Sequence, residues 1–109
     1  MFLGDENQVE IIKEGKKISF VFLKPMDSVT AENIQEGLTK EITELKDQDM
    51  EIIFDMQNID YVSSAFLRLA LWTANAAEKK HDIFSIKNTQ AHVKEIFKLT
   101  GIDQKIDVE

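Results

Sequence analysis

The sequence predicts an α/β fold: one domain with a mixed β-sheet and helices packed on it, in the order β-β-α-β-α-β-α-β. Three observations predict it. Two alternating apolar segments, Gln8–Ile12 and Lys17–Leu23, flank a Glu14-Gly15 turn signal, the pattern of a β-hairpin. Two short apolar runs, Met50–Phe54 and Asp82–Ile86, follow later in the chain. Between and after them lie three segments whose apolar residues recur near every 3.6 positions, as helices require. Strands that alternate with helices imply parallel neighbours joined by right-handed crossovers.

Each element has its own justification. Ile18, Phe20 and Phe22 fall on one face of the second strand, which ends at Lys24-Pro25 because proline cannot donate to a ladder. Asp27-Ser28-Val29-Thr30 offers several helix caps. The helix after it carries Ala31, Ile34, Leu38, Ile42 and Leu45 on one stripe, with Glu32 in its first turn, where the dipole favours an anion. Asp47–Asp49 is a polar connector. Met50–Phe54 is continuously apolar, as a central strand is. The next helix, from Ser64 to about Lys80, holds Leu67, Leu69, Ala70, Leu71, Ala74 and Ala77, dense enough to be largely buried; Trp72 and most of the phenylalanines also read as core. Gln90–Leu99 is a third helix with Val93, Ile96 and Phe97 inward and Gly101 as its stop. Lys105–Val108 reads as an edge strand. Residues 1–7 read as a loose N-terminus and 8–109 as the domain.

At 109 residues the chain has room for one core. With 43% hydrophobic and 30% charged residues it has an ordinary globular composition. It has no cysteine, which excludes disulfides, thiol catalysis and cysteine metal sites. A net charge of -7 and a pI near 4.8 disfavour nucleic acid and anionic membranes as partners. Proteins with a basic or mixed face suit it better. No run is long enough to insert in a membrane and Met1–Gly4 makes no signal peptide, so the expected location is the cytoplasm.

Residues 55–72 carry the most chemistry. An apolar strand ends on Asp55, a polar loop follows, and Ser63 and Ser64 open an apolar helix. A serine there sits among unpaired N–H groups at the positive end of the helix dipole. It reads first as a cap, and also as a candidate phosphorylation switch. Arg68, the sole arginine, lies four residues after Ser64 on the same face. It reads as a solvated charge or as a fork for a phosphate or a partner. Tyr61 and Phe66 border the Ser64 loop and read as candidates for exposure. Asp27 and Asp55 suggest paired carboxylates, but no histidine or cysteine accompanies them. Each also serves as a cap, and no active site is read. His81 and His92 are isolated, and the four glycines form no phosphate-cradling loop. No cofactor or metal is expected.

Three segments resemble the STAS domain family, which includes bacterial anti-sigma factor antagonists. They are Ile52-Ile53-Phe54-Asp55 through Asn58-Ile59 to Tyr61-Val62-Ser63-Ser64-Ala65; Phe97-Lys98-Leu99-Thr100-Gly101-Ile102-Asp103; and Asp27-Ser28-Val29-Thr30-Ala31-Glu32-Asn33. The resemblance runs from about Val9 to Val108. It implies a non-enzymatic regulator that captures an anti-sigma factor serine kinase, is phosphorylated on Ser64, and is reset by a serine phosphatase. Ser63 stands where many members have Asp, and Asp27 and Asp55 match acidic positions around the acceptor. The surface implied for partner binding comprises Asp27, Asp55, Asp60, Tyr61, Ser63, Ser64, Phe66 and Arg68. Phe66 replaces a usual glycine, so that its ring either narrows kinase access or joins a docking surface. The alternative is an unphosphorylated STAS interaction module of a transporter or a larger signalling assembly.

Overall fold

Hydrogen bonding closes the sheet strictly in sequence order. The computed structural model describes residues 1–47 and 49–109. It contains β1 (Phe2–Leu3), β2 (Val9–Glu14), β3 (Lys17–Phe22), α1 (Ser28–Thr43), β4 (Glu51–Asp55), α2 (Ser64–Lys80), β5 (Ile83–Lys87), α3 (Ala91–Leu99), a 3₁₀ turn at Ile102–Gln104 and β6 (Asp107–Val108). The six strands lie in the order β1-β2-β3-β4-β5-β6. β1, β2 and β3 pair antiparallel, and β3 to β6 pair parallel. The hairpin turns at Gly15, whose φ of 59° is left-handed, as the first residue of a two-residue loop requires. The connector read at Asp47–Asp49 includes Gln48, which lies outside the described residues.

The alternation in the strands sorts side chains cleanly. Ile18, Phe20 and Phe22 of β3, Ile52 and Phe54 of β4 and Ile86 of β5 enter one buried cluster with the inner stripes of α1, α2 and α3. Ser19, Val21, Ile53, Asp55 and Ser85 occupy the positions between, so they point to the other face of the sheet. The result is a two-layer domain with helices on one face. Successive crossovers of one hand along a sequentially ordered parallel sheet produce that arrangement.

Two sequence expectations change. Residues 1–7 are not wholly loose: Phe2 and Leu3 pair with Glu10 and Val9, and Leu3 is buried. Leu3 seats against α1 at Gly37, where a Cβ would come within 2.8 Å of the Leu3 side chain. The missing side chain of Gly37 therefore makes the notch that holds β1. Trp72 is 38% exposed rather than core. The buried stripe of α2 runs through Phe66, Leu69, Ala70, Thr73 and Ala77, which leaves position 72 on the flank.

Candidate functional site

The starts of α1 and α2 meet at one edge of the domain. Met26 and Val62 form an isolated parallel bridge. The Ser63 N–H donates to the Met26 carbonyl at 2.9 Å, and the Met26 N–H to the Tyr61 carbonyl at 3.4 Å. Two loops that leave adjacent parallel strands are thereby tied together, and both helices begin side by side.

Each helix has its own cap. Asp27 is the N-cap of α1, and its Oδ1 accepts from the Thr30 N–H at 2.8 Å. That bond to the charged form holds the exposed Asp27 carboxyl below its ordinary value. Ser63 is the N-cap of α2, and its Oγ accepts from the Phe66 N–H at 3.3 Å. Ser63 is 5% exposed. Ser64 is therefore the first helical residue. It is exposed, and its hydroxyl makes no side-chain hydrogen bond among the described residues. The two neighbouring serines thus have different roles: one closes the helix and the other faces water.

Around Ser64 the surface is mixed. Asp60 is exposed, as are Tyr61 at 50% and Val29 at 69%. Arg68 lies one turn along α2 on the outward side and has no ion-pair partner among the described residues. Val29 joins this surface although the sequence marks its segment only as a helix entry. The available signal was that Val29 is an apolar residue at a helix entry, off the stripe of Ala31, Ile34, Leu38 and Ile42.

Three residues expected on this surface lie elsewhere. Phe66 is fully buried. Its ring meets Phe22 edge-on at 5.2 Å and Phe54 at 6.0 Å. With Ser63 as cap, the helical period places Phe66 at the head of the inward stripe, so it neither screens Ser64 nor forms a docking face. Ser63 is turned inward by its capping bond. Asp55 ends β4 on the opposite face of the sheet, beside Ile12, Ser19 and Val21. There it accepts from the Gln57 N–H at 3.1 Å and closes the turn after its strand, as its capping reading implied. Asp27 and Asp55 consequently do not form a carboxylate pair for acid–base work. Among the described residues no group of three or more His, Cys, Asp or Glu side chains is placed to hold a metal ion, and no helix is long and apolar enough to cross a membrane.

Comparison with known proteins agrees with this architecture. An anti-sigma factor antagonist (STAS) domain protein from Planctomyces limnophilus superposes with a TM-score of 0.82 at 13% identity, over 93% of this chain and 87% of that one. An anti-sigma factor antagonist described as putative, from Thermotoga maritima, gives 0.83 at 11% identity, over 92% and 84%. The antagonist SpoIIAA in its unphosphorylated form gives 0.78 at 14% identity, over 93% and 87%. The Bacillus SpoIIAA in its phosphorylated form gives 0.71 at 13% identity, over 93% and 90%. At these identities the likeness is one of fold. Comparison with curated proteins gives no match by sequence. The family model of the STAS domain matches residues 9–109, nearly the whole chain, and the chain belongs to that family.

Proposed function

We propose that this domain is an anti-sigma factor antagonist: it binds an anti-sigma factor serine kinase through the paired starts of α1 and α2, and phosphorylation of Ser64 switches that binding off. One observation carries the reading. Ser64 opens α2 with a free, outward hydroxyl because Ser63 has already taken the capping role. The fold neighbours, antagonists that include one solved in phosphorylated and unphosphorylated forms, support the same class of partner.

The chemistry is local. In the unmodified state Val29 and Tyr61 supply apolar contact, and Asp27, Asp60 and Arg68 supply a polar rim. A phosphate on Ser64 adds about -1.5 to -2 charges on the same outward edge as Asp60. Within the free domain that charge sits well, at the positive end of the α2 dipole. Against a docked partner it must be desolvated near carboxylates, and the complex weakens. A serine phosphatase restores the first state. The domain acts as binder and substrate and catalyses nothing.

Incubation with the cognate serine kinase and ATP, followed by mass spectrometry, tests the reading. Phosphate should appear on Ser64 and be lost in Ser64→Ala. By calorimetry Ser64→Asp should bind the cognate anti-sigma factor about tenfold or more weakly, while Ser64→Ala binds like the parent. A Ser64 that never acquires phosphate, together with equal affinity for Ser64→Asp, would leave an unphosphorylated interaction module instead.

A further inference from the structure

On the outward side of the helical layer, a groove of about 750 Å³ runs between α1 and α2. Its α1 wall has two rows: Glu32, Glu36, Lys40 and the C-cap Glu44, spaced every four residues and so aligned along the helix, with Gln35, Thr39 and Thr43 beside them. The first row spans about 18 Å, the length of a three-turn helix. On the α2 side Ala65, Leu69 and Trp72 follow an i, i+4, i+7 pattern; Leu69 is buried beneath the floor, and Ala65 and Trp72 supply its open apolar surface. Trp72 is the large apolar side chain left partly open here, and it is the only tryptophan of the chain. Arg68 borders the same groove, and among the described residues neither it nor Glu32, Glu36 or Glu44 makes an ion pair.

We propose that this groove docks a basic amphipathic helix of a partner protein, about three turns long, with its apolar stripe on Trp72 and the partly exposed Ala65 and its lysines or arginines along Glu32, Glu36 and Glu44. Three features select that occupant. The apolar strip has helix periodicity, as a helix-in-groove contact requires. Glu32, Glu36 and Glu44 outnumber Lys40 on the α1 wall, the lining stays negative with Arg68 on the α2 side counted, and the whole chain is at -7, so a cationic flank facing α1 is the complementary one. A partly exposed tryptophan at the centre of such a groove is the kind of residue on which interface energy concentrates. Ala65 and Arg68 follow Ser64 directly, so the groove continues from the proposed switch face. The inference rests on the reading of the domain as a partner-binding module, but it does not require that Ser64 be modified.

The probe is a synthetic lysine–leucine amphipathic helix of about 14 residues, with a glutamate–leucine helix of the same pattern as control. Titration into the intact protein should be saturable and shift Trp72 emission to the blue as the indole leaves water. The glutamate peptide should do neither. Glu32→Lys/Glu36→Lys should weaken lysine-peptide binding about tenfold or more. Asp103→Lys/Asp107→Lys, with the same change in net charge on exposed sites elsewhere, should weaken it much less. Circular dichroism of both variants confirms that they are folded. Equal weakening by the two charge reversals, or binding without a change in Trp72 emission, would overturn the proposal. Repetition with Ser64→Ala separates the two readings: groove binding that survives there stands whether or not a kinase modifies Ser64, and a failed titration leaves the phosphate test intact.

Discussion

Phe66→Ala is the perturbation that most directly tests the placement of the α2 entry. The ring is fully buried. Removing it forfeits the transfer term of a buried phenylalanine, about 1.5–3 kcal/mol, and two ring–ring contacts worth about 0.5–1.5 kcal/mol each beyond area. The space left cannot close easily. Phe54 is held from its other sides by Phe20 at 5.8 Å and Phe84 at 4.8 Å, and Phe22 is held by Phe54 at 5.0 Å. Taken together, the expected loss is about 3–5 kcal/mol, a large share of the ~5–15 kcal/mol available to a domain of this kind. Urea unfolding followed by circular dichroism measures it, with the slope unchanged if the unfolded state is unchanged. Under conditions where both proteins are folded, partner affinity should be unaltered. A loss below about 1 kcal/mol, in the range of surface substitutions, would refute the inward placement and return the ring to the docking face.

Three further outcomes follow from the same geometry. Ser63→Ala should cost about 1 kcal/mol of stability by uncapping α2, while Ser64→Ala should stay within about 0.5 kcal/mol; equal costs in urea unfolding would mean the capping assignment is wrong. Because the hydrogen bond from the Thr30 N–H holds the folded Asp27 carboxyl below the ordinary carboxylate value, its contribution is present above that ordinary value and is lost as pH falls through the folded one. The stability gap between the parent and Asp27→Asn should therefore narrow as pH falls from neutral through and below the ordinary carboxylate range, and parallel urea-midpoint curves would contradict it. Leu3→Ala should destabilise by about 2 kcal/mol, the low end for a buried leucine, and should speed hydrogen exchange at the Gln8 and Ile11 amides, which bond to the Leu3 and Met1 carbonyls; no change in either would mean that β1 is not held by the Gly37 notch.

The fold was legible because period and punctuation agree along most of the chain. The alternation of Ile18, Phe20 and Phe22 and the 3.6-residue stripe of α1 each admit one reading. Phe66 and Trp72 show where that legibility stops. Both lie in a segment so rich in apolar residues that the inward stripe cannot be told from its flanks until the cap is known. Fixing the cap at Ser63 rotates Phe66 inward and Trp72 outward together. β1 was missed for another reason. Two residues are too few to show a period, and what holds them is the glycine of a distant helix, a contact that no local pattern encodes. Asp55 shows the third limit: its role as a turn cap is local and was legible, whereas the face it occupies depends on strand parity relative to the whole sheet.

The division between Ser63 and Ser64 is what makes a phosphate switch physically workable at this position. A phosphate on the capping serine would have to enter a nearly closed site and displace the bond to the Phe66 N–H, so it would fray the helix it was meant to mark. On Ser64 the ester projects outward, while the first-turn N–H groups of Ser64 and Ala65, which have no acceptor within the helix, stay near enough to meet an anion. The identity of the cap matters as well. A carboxylate there would sit beside the incoming phosphate and oppose it, whereas a hydroxyl caps without charge. Modification at Ser64 should thus leave the stability of the free domain unchanged or slightly raised, by about 0.3–1 kcal/mol through the dipole, while it weakens the complex. Urea unfolding and calorimetry on Ser64→Asp must move in opposite directions for that logic to hold, and a variant that lost both stability and affinity would show simple damage rather than a switch.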